Sequence, residues 1–236
     1  VKDGKVQRVP KLIALILIED QIREEAKDTI EYFKESGVEV KVISGDNPVT
    51  VSEVARRVGI ENASKCVSLD GMSEDEVIEA ASKFTVFGRV KPEQKKLLVQ
   101  ALKKQGKTVA MTGDGVNDIL ALKDADCSIA MASGAKATSE AAQSVLLDSD
   151  FSHMPEVVFE GRRVVNNIQR SASLFLVKNI FSFLMAIVSL VMTITYPLEP
   201  NQISLIGAFT IGIPGFLLAL ESNKNRIEGK FIRNVL

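Results

Sequence analysis

Apolar residues recur along this chain first in short runs and then in two long ones, and that change divides it. The short runs are KLIALILIE (11–19), VEVKVIS (38–44), FTVFGR (84–89), KTVAMT (107–112), CSIAM (127–131) and SVLLD (144–148). Nearly continuous apolar runs of this length suit strands buried on both faces. Helical spacing separates most of them: Ile22, Ala26, Ile30 and Phe33 share one face, as do Val51, Val54, Ala55 and Val58. Ser73 and Glu76 form a capping box ahead of Val77, Ile78 and Ala81. Gly37 and Gly106 stand where helix ends call for a left-handed residue. Strand and helix in alternation predict an α/β fold with a doubly wound parallel sheet, whose ligands bind beyond the carboxyl ends of the strands.

The long runs are of another kind. Residues 174–195 and 202–220 are each long enough, at about 1.5 Å per residue, to cross about 30 Å of hydrocarbon, and 174–220 contain only two charged residues, Lys178 and Glu199. Two spanning helices are predicted, joined by YPLEPN. Arg162, Arg163 and Arg170 precede the pair, and Lys224, Arg226, Lys230 and Arg233 follow it, whereas the connection has neither Lys nor Arg, so both ends are expected in the cytoplasm. Lys178 and Asn179 are polar positions inside the first span, and such residues are functional candidates by default. Lys178 has a second reading, an ammonium that snorkels to the headgroups. Gly207, Gly212, Pro214 and Gly215 cluster in the second span. An unwound helix there would free carbonyls for an ion, and close helix packing is the alternative.

Composition narrows the reading further. An apolar share of 46% excludes disorder, and Lys plus Arg (29) against Asp plus Glu (30) gives no electrostatic reason to expect a nucleic-acid partner. Cys66 and Cys127 form no CxxC pair, so neither a disulfide framework nor a zinc site is indicated. His153, the single histidine, has no partner at metal-ligand spacing.

Chemistry concentrates at two predicted strand ends. Ser44-Gly45-Asp46-Asn47 follows VEVKVI, and TGDGVND (112–118) follows KTVAM, each leading into a helix. Glycine admits a close phosphate, helix N-termini offer free N–H groups to anions, and carboxylates beside them call for a divalent cation between. Mg²⁺ and a phosphoryl group fit that combination. Lys95, in RVKPEQK (89–95), starts a helix near the same edge and could neutralise charge on a transferring phosphoryl.

These motifs resemble the C-terminal portion of a P-type, E1-E2 cation-transporting ATPase, whose phosphorylation domain has the haloacid-dehalogenase-like Rossmann fold. Residues 112–118 match the family's TGDGxND, and 44–46 match its TGD with serine for threonine. Arg89 and Lys95 match its RVxPxxK stretch, DQIR (20–23) is similar to its DPPR turn, and EGRR (160–163) with Asn166-Asn167 matches the entry to the fifth membrane helix. The resemblance implies Mg²⁺ at Asp114, with Asp118 counted as a metal-site residue that supports the loop. It implies phosphoryl contacts from Lys95, Asn117 and Ser44, and nucleotide contacts from Gly45, Asp46 and Arg89, with ATP as substrate. It further implies an integral, multi-pass protein of a bacterial plasma membrane. Its parts would be a phosphorylation domain (1–152), a stalk helix (153–173), spans at 174–195 and 202–220, and a cytoplasmic tail (221–236). An unbroken stalk would couple phosphate chemistry to Asn179.

Two departures qualify this. The DKTGT motif that carries the phosphorylated aspartate is absent, which reads as a fragment beginning at Val1 and unable to phosphorylate itself. The acidic ion-site positions of the calcium-pump type appear as Ser182 and Ile211, with Thr210 retained, so the ion path is read as Asn179, Ser182 and Thr210. The transported cation stays open, with calcium one candidate. Two further functions remain: a membrane-tethered phosphatase using Asp20 as nucleophile, and a non-catalytic module of the same fold.

Overall fold

The computed structural model describes residues 12–14, 22–223, 225–227, 229, 232 and 235. The chain forms two compact units, Val1–Asp150 and Phe151–Leu236. Asp20, Gln21, Lys224, Lys230 and Arg233 lie outside the described residues, as does the predicted strand at 11–19 apart from Leu12, Ile13 and Ala14.

In the first unit β1 (Val42–Ile43), β2 (Cys66–Ser68) and β3 (Val86–Gly88) form one parallel sheet in the order β1-β3-β2. A second parallel sheet, in the order β4-β5-β6, contains β4 (Ala110–Gly113), β5 (Cys127–Met131) and β6 (Ser144–Leu146). The parallel α/β character agrees with the alternation in the sequence. Among the described residues the strands make two sheets instead of one, and β2 is additional. Its Cys-Val-Ser core is too short and too mixed to register as an apolar run.

The first helix, α1 (Glu25–Glu35), precedes β1. Helices cover both faces of the first sheet, and β3 shows how. Val86 packs with Ala55 of α2 (Pro48–Arg57) and Ala63, whereas its neighbour Phe87 joins Val77, Ala80 and Ala81 of α3 (Glu74–Lys83) and Leu98 of α4 (Pro92–Lys104) on the other side. Alternation along a strand sends successive side chains to opposite faces, so this arrangement is doubly wound. Val54 does not share the buried stripe expected for α2 and is 40% exposed, whereas Val51 and Ile60 pack against the Ala55 cluster. The Ser73–Glu76 capping box forms in full, and Gly37 and Gly106 adopt φ of 74° and 80°.

α4 belongs to both halves of the unit. Its Leu98 faces the first cluster, while Val99 packs with Met111 of β4 and with Ala121 and Leu122 of α5 (Ile119–Asp124). Consecutive residues on one helix thus anchor it to the two sheets, and the first turn of α4 is held beside both sets of strand ends.

The second unit opens with a single helix, Met154–Met192, that runs through Leu174 without interruption. Thr193 closes it in a left-handed conformation with φ 54°, three residues short of the span expected to reach Thr195. The return helix comprises Pro200–Gly207, a π-helical turn at Ala208–Gly212, and Ile213–Leu220. Pro214 explains the π turn, since it lacks the N–H that a regular helix would donate one turn back. Both helices are long and apolar enough to cross a membrane.

Candidate active site

The Ser44-Gly45-Asp46 turn leaves β1 and is closed by its own side chains. Ser44 Oγ donates to Asp46 Oδ2 at 3.1 Å and accepts from the Asp46 N–H at 3.1 Å. Asn47 then caps α2, accepting from the Val49 N–H at 2.9 Å. Gly88, at the end of β3, leaves room for that start: a Cβ there would lie 2.5 Å from the Pro48 ring.

The stretch after β3 reaches back to this turn. Arg89 takes φ 52°, uncommon for a residue with a side chain, and its N–H donates to the Asp46 carbonyl at 2.9 Å. The Val90 N–H donates to the Ser44 carbonyl at 3.1 Å. Gln94 is buried. Its Oε1 accepts from the Lys91 N–H at 3.0 Å and its Nε2 donates to the Leu69 carbonyl at 2.8 Å, which seats the N-terminus of α4.

One residue further on, Lys95 Nζ donates to Asp118 Oδ1 at 2.6 Å, with side-chain exposures of only 12% and 9%. The other oxygen of Asp118 accepts from the Gly115 N–H at 3.3 Å. Asp118 also packs under Gly113, where a Cβ would lie 2.6 Å from its own Cβ. Asp118 therefore braces the loop and pairs with Lys95. Each of its oxygens accepts one of these bonds and keeps a further lone pair.

Asp114 has the opposite surroundings. It is exposed, and among the described residues its carboxylate makes no hydrogen bond or ion pair. Asn117 is exposed on the adjoining 3₁₀ turn, Val116–Asp118. The two acid-bearing turns are tied to one short stretch, 89–95: the first through Arg89 and Val90, the second through Lys95. Ser44, Asp46, Arg89, Lys95, Asp114 and Asn117 consequently share the carboxyl edge of the strands. No group of three or more His, Cys, Asp or Glu able to hold a metal occurs among the described residues. A hard cation that keeps waters and takes one or two carboxylates together with phosphate oxygens needs no such cluster, and the unpartnered Asp114 carboxylate fits it.

The polar residues of the second unit have separate surroundings. Asn179 is exposed and Ser182 half-buried. The Thr210 hydroxyl donates to the Ile206 carbonyl at 2.7 Å, within its own helix. Lys178 is the side chain that reaches the return helix, with Nζ 3.3 Å from where a Cβ on Gly207 would sit.

Gln94, Gly134 and the amides of Asn166 and Asn167 escaped the sequence reading. Asn167 Nδ2 donates to the carbonyls of Ala219 (3.3 Å) and Glu221 (3.1 Å), Asn166 Nδ2 to that of Asn225 at 3.0 Å, and Arg170 pairs with Glu221. The motif match at Asn166-Asn167 marked the place, and Gln94 stands at a recognisable capping position after Pro92.

Residues 1–126 match the haloacid dehalogenase-like hydrolase family. The chain is 46% identical, over 97% of its length, to "Probable cation-transporting ATPase exp7" of Streptococcus pneumoniae, and 43% identical, over 95%, to the calcium-transporting ATPase CtpE of Mycobacterium bovis. It spans 31% and 29% of those relatives. A crystal structure of a zinc-transporting PIB-type ATPase shares the fold, with TM-score 0.61 and 23% identity over 86% of this chain and 28% of that one. With the family match extending over more than half of its residues, this chain belongs to the haloacid dehalogenase-like hydrolases, in the form of that fold shared with cation-transporting P-type ATPases.

Proposed function

We propose that this chain is a segment of an ATP-driven cation pump, comprising part of the phosphorylation domain, the stalk, and the fifth and sixth membrane helices. The observation that carries the reading is the division of labour in the GDGVND loop. Asp118 holds Lys95 and the loop backbone, which leaves Asp114 free to take Mg²⁺. Bound there, Mg²⁺ would neutralise charge on a phosphoryl group passing between ATP and an aspartate elsewhere in the longer protein.

The chain's own residues do the positioning. Lys95, steadied on one side by Asp118, has further N–H donors for phosphoryl oxygens, and Asn117 offers its amide from the facing turn. Ser44 carries a hydroxyl on the opposite rim. Asp46 and Arg89, exposed and joined through backbone, are placed to meet nucleotide. Preorganised donors of this kind act on charge as it develops, without reorganising at the moment of transfer.

The two spans, 174–195 and 202–220, carry Lys178 and no carboxylate, so carboxylates for a divalent ion would come from other helices of the longer protein. Calcium is the cation to test first, because relatives at 43% identity carry that specificity in their names. The protein would sit in a bacterial plasma membrane with both ends of this segment cytoplasmic.

The test is phosphorylation of the complete protein by radiolabelled ATP. Asp114→Ala and Lys95→Met should each lower the phosphorylated level at least about a hundredfold, in the range of losing one charge-stabilising group. Undiminished labelling in both variants would overturn the assignment. Phosphatase turnover by the purified chain, abolished in Asp20→Ala, would establish the tethered-phosphatase alternative instead.

A further inference from the structure

Gly134 stands on the turn after β5, in a stretch that no sequence motif marked. Its φ is not in the left-handed range that demands glycine, so backbone freedom does not explain the residue. Space does. A Cβ at Gly134 would lie 2.3 Å from the Asp114 carbonyl oxygen, 2.9 Å from Asp114 Cα and 3.0 Å from its carbonyl carbon. All three are backbone atoms, and no side-chain rotation relieves the overlap. The next residue completes the contact: the Ala135 N–H donates to the same Asp114 oxygen at 2.9 Å.

This turn is itself anchored. The Gly134 N–H donates to the Met131 carbonyl at 3.0 Å, and the Ser133 N–H donates to Ser149 Oγ at 2.7 Å. A larger residue at 134 would therefore push Asp114, the less constrained partner, away from its place. The neighbouring Gly113 rests on the Asp118 side chain, a separate contact.

We propose that Gly134 and the Ala135 N–H are positioning elements for Asp114, which set where its carboxylate presents to a divalent cation. The inference rests on the reading of Asp114 as the metal ligand and adds a third chain segment, the β5 turn, to the site. Misplacement by even a few tenths of an ångström weakens a cation as demanding of geometry as Mg²⁺.

The experiment titrates Mg²⁺ into the purified 236-residue chain in detergent, using calorimetry and the amide resonances of Gly113 and Gly115. Gly134→Ala should weaken Mg²⁺ binding at least about tenfold. Ala135→Pro removes the N–H while keeping a compatible backbone, since Ala135 already has φ −66°, and should weaken binding several-fold. It also serves as the test if Gly134→Ala does not fold. Ile129→Val, in the buried interior of β5, lowers stability and should leave Mg²⁺ affinity unchanged, which separates positioning from general loosening. Wild-type affinity in Gly134→Ala and Ala135→Pro, with binding lost in Asp114→Ala, would overturn this inference and leave the metal reading intact. Equal binding by wild type and Asp114→Ala, or none by wild type, would remove the metal reading and this inference with it.

Discussion

In the first unit a largely buried ammonium, Lys95, meets a carboxylate at 2.6 Å; in the second, the half-buried ammonium of Lys178 lies over a glycine and has no carboxylate beside it among the described residues. The same contrast runs through the rest of each unit. Leu69, Val77, Phe87 and Leu98 are almost wholly buried among the first unit's own helices and strands. Phe175, Phe183, Leu190 and Phe216 are more than half exposed. A fold that meets water must bury its apolar groups and satisfy its polar ones internally. A hairpin that meets lipid can leave apolar groups outward.

The largest expected effect strikes the satisfied pair. Asp118→Ala leaves Lys95 buried and unpaired, which should cost about 3–5 kcal/mol of stability in the first unit, read from urea unfolding followed by near-UV circular dichroism. A loss under 1 kcal/mol would mean that water already reaches Lys95. The hairpin should respond in the opposite direction. Lys178→Met should favour membrane insertion of residues 174–220 by about 2.5–3.5 kcal/mol in a translocon-insertion assay. An unchanged insertion free energy would show that the ammonium reaches a polar surface after all.

The Asn167 amide nitrogen ties the long helix to the end of the return helix, near the Asn166 amide and the Arg170–Glu221 pair. Asn167→Ala strands two carbonyls at the end of the return helix and should cost about 1–3 kcal/mol, seen as faster amide exchange at Leu218–Glu221. Ser73→Ala removes the capping box of α3 and should cost about 1 kcal/mol in the first unit, leaving the hairpin untouched.

The smallest effect is that of pH. Hydrogen bonds from Lys107 and then Lys41 hold the Glu39 carboxyl below its usual range; the Val109 N–H and then Lys103 do the same for Asp126, and Arg56 and Arg57 bring Glu53 to about 2. Folded values below unfolded ones stabilise above the unfolded pKa, so this contribution is complete above about pH 4.5 and lost as pH falls toward about 2. Exposure makes it modest. Lys107→Met should flatten the acid limb of the stability profile, and an unchanged limb would assign acid sensitivity to other carboxylates.

Much of the candidate site was legible because its residues sit in contiguous motifs whose spacing is itself the signal. TGDGVND, SGD and RVKPEQK each announced a turn with charge at a strand end. What the motifs could not show was the surroundings of each side chain. The resemblance separated Asp114 from Asp118 by role, and the approach of Lys95 and the Gly115 N–H shows Asp118 engaged. Val54 and Val51 share a helical face, yet Val51 packs against the buried cluster and Val54 is 40% exposed.

By itself the sequence determined the alternation of strand and helix, the helix cap at Ser73 and the two membrane-length runs. These depend on neighbours within a few residues, whose backbone preferences and side-chain hydrogen bonds are local. Tertiary structure decided that α4 serves both sheets, that Lys178 faces the return helix, and that Gly134 abuts Asp114 from 20 positions along the chain. Such contacts follow from how buried surfaces pack, and packing brings together residues whose separation in sequence carries no trace of their meeting.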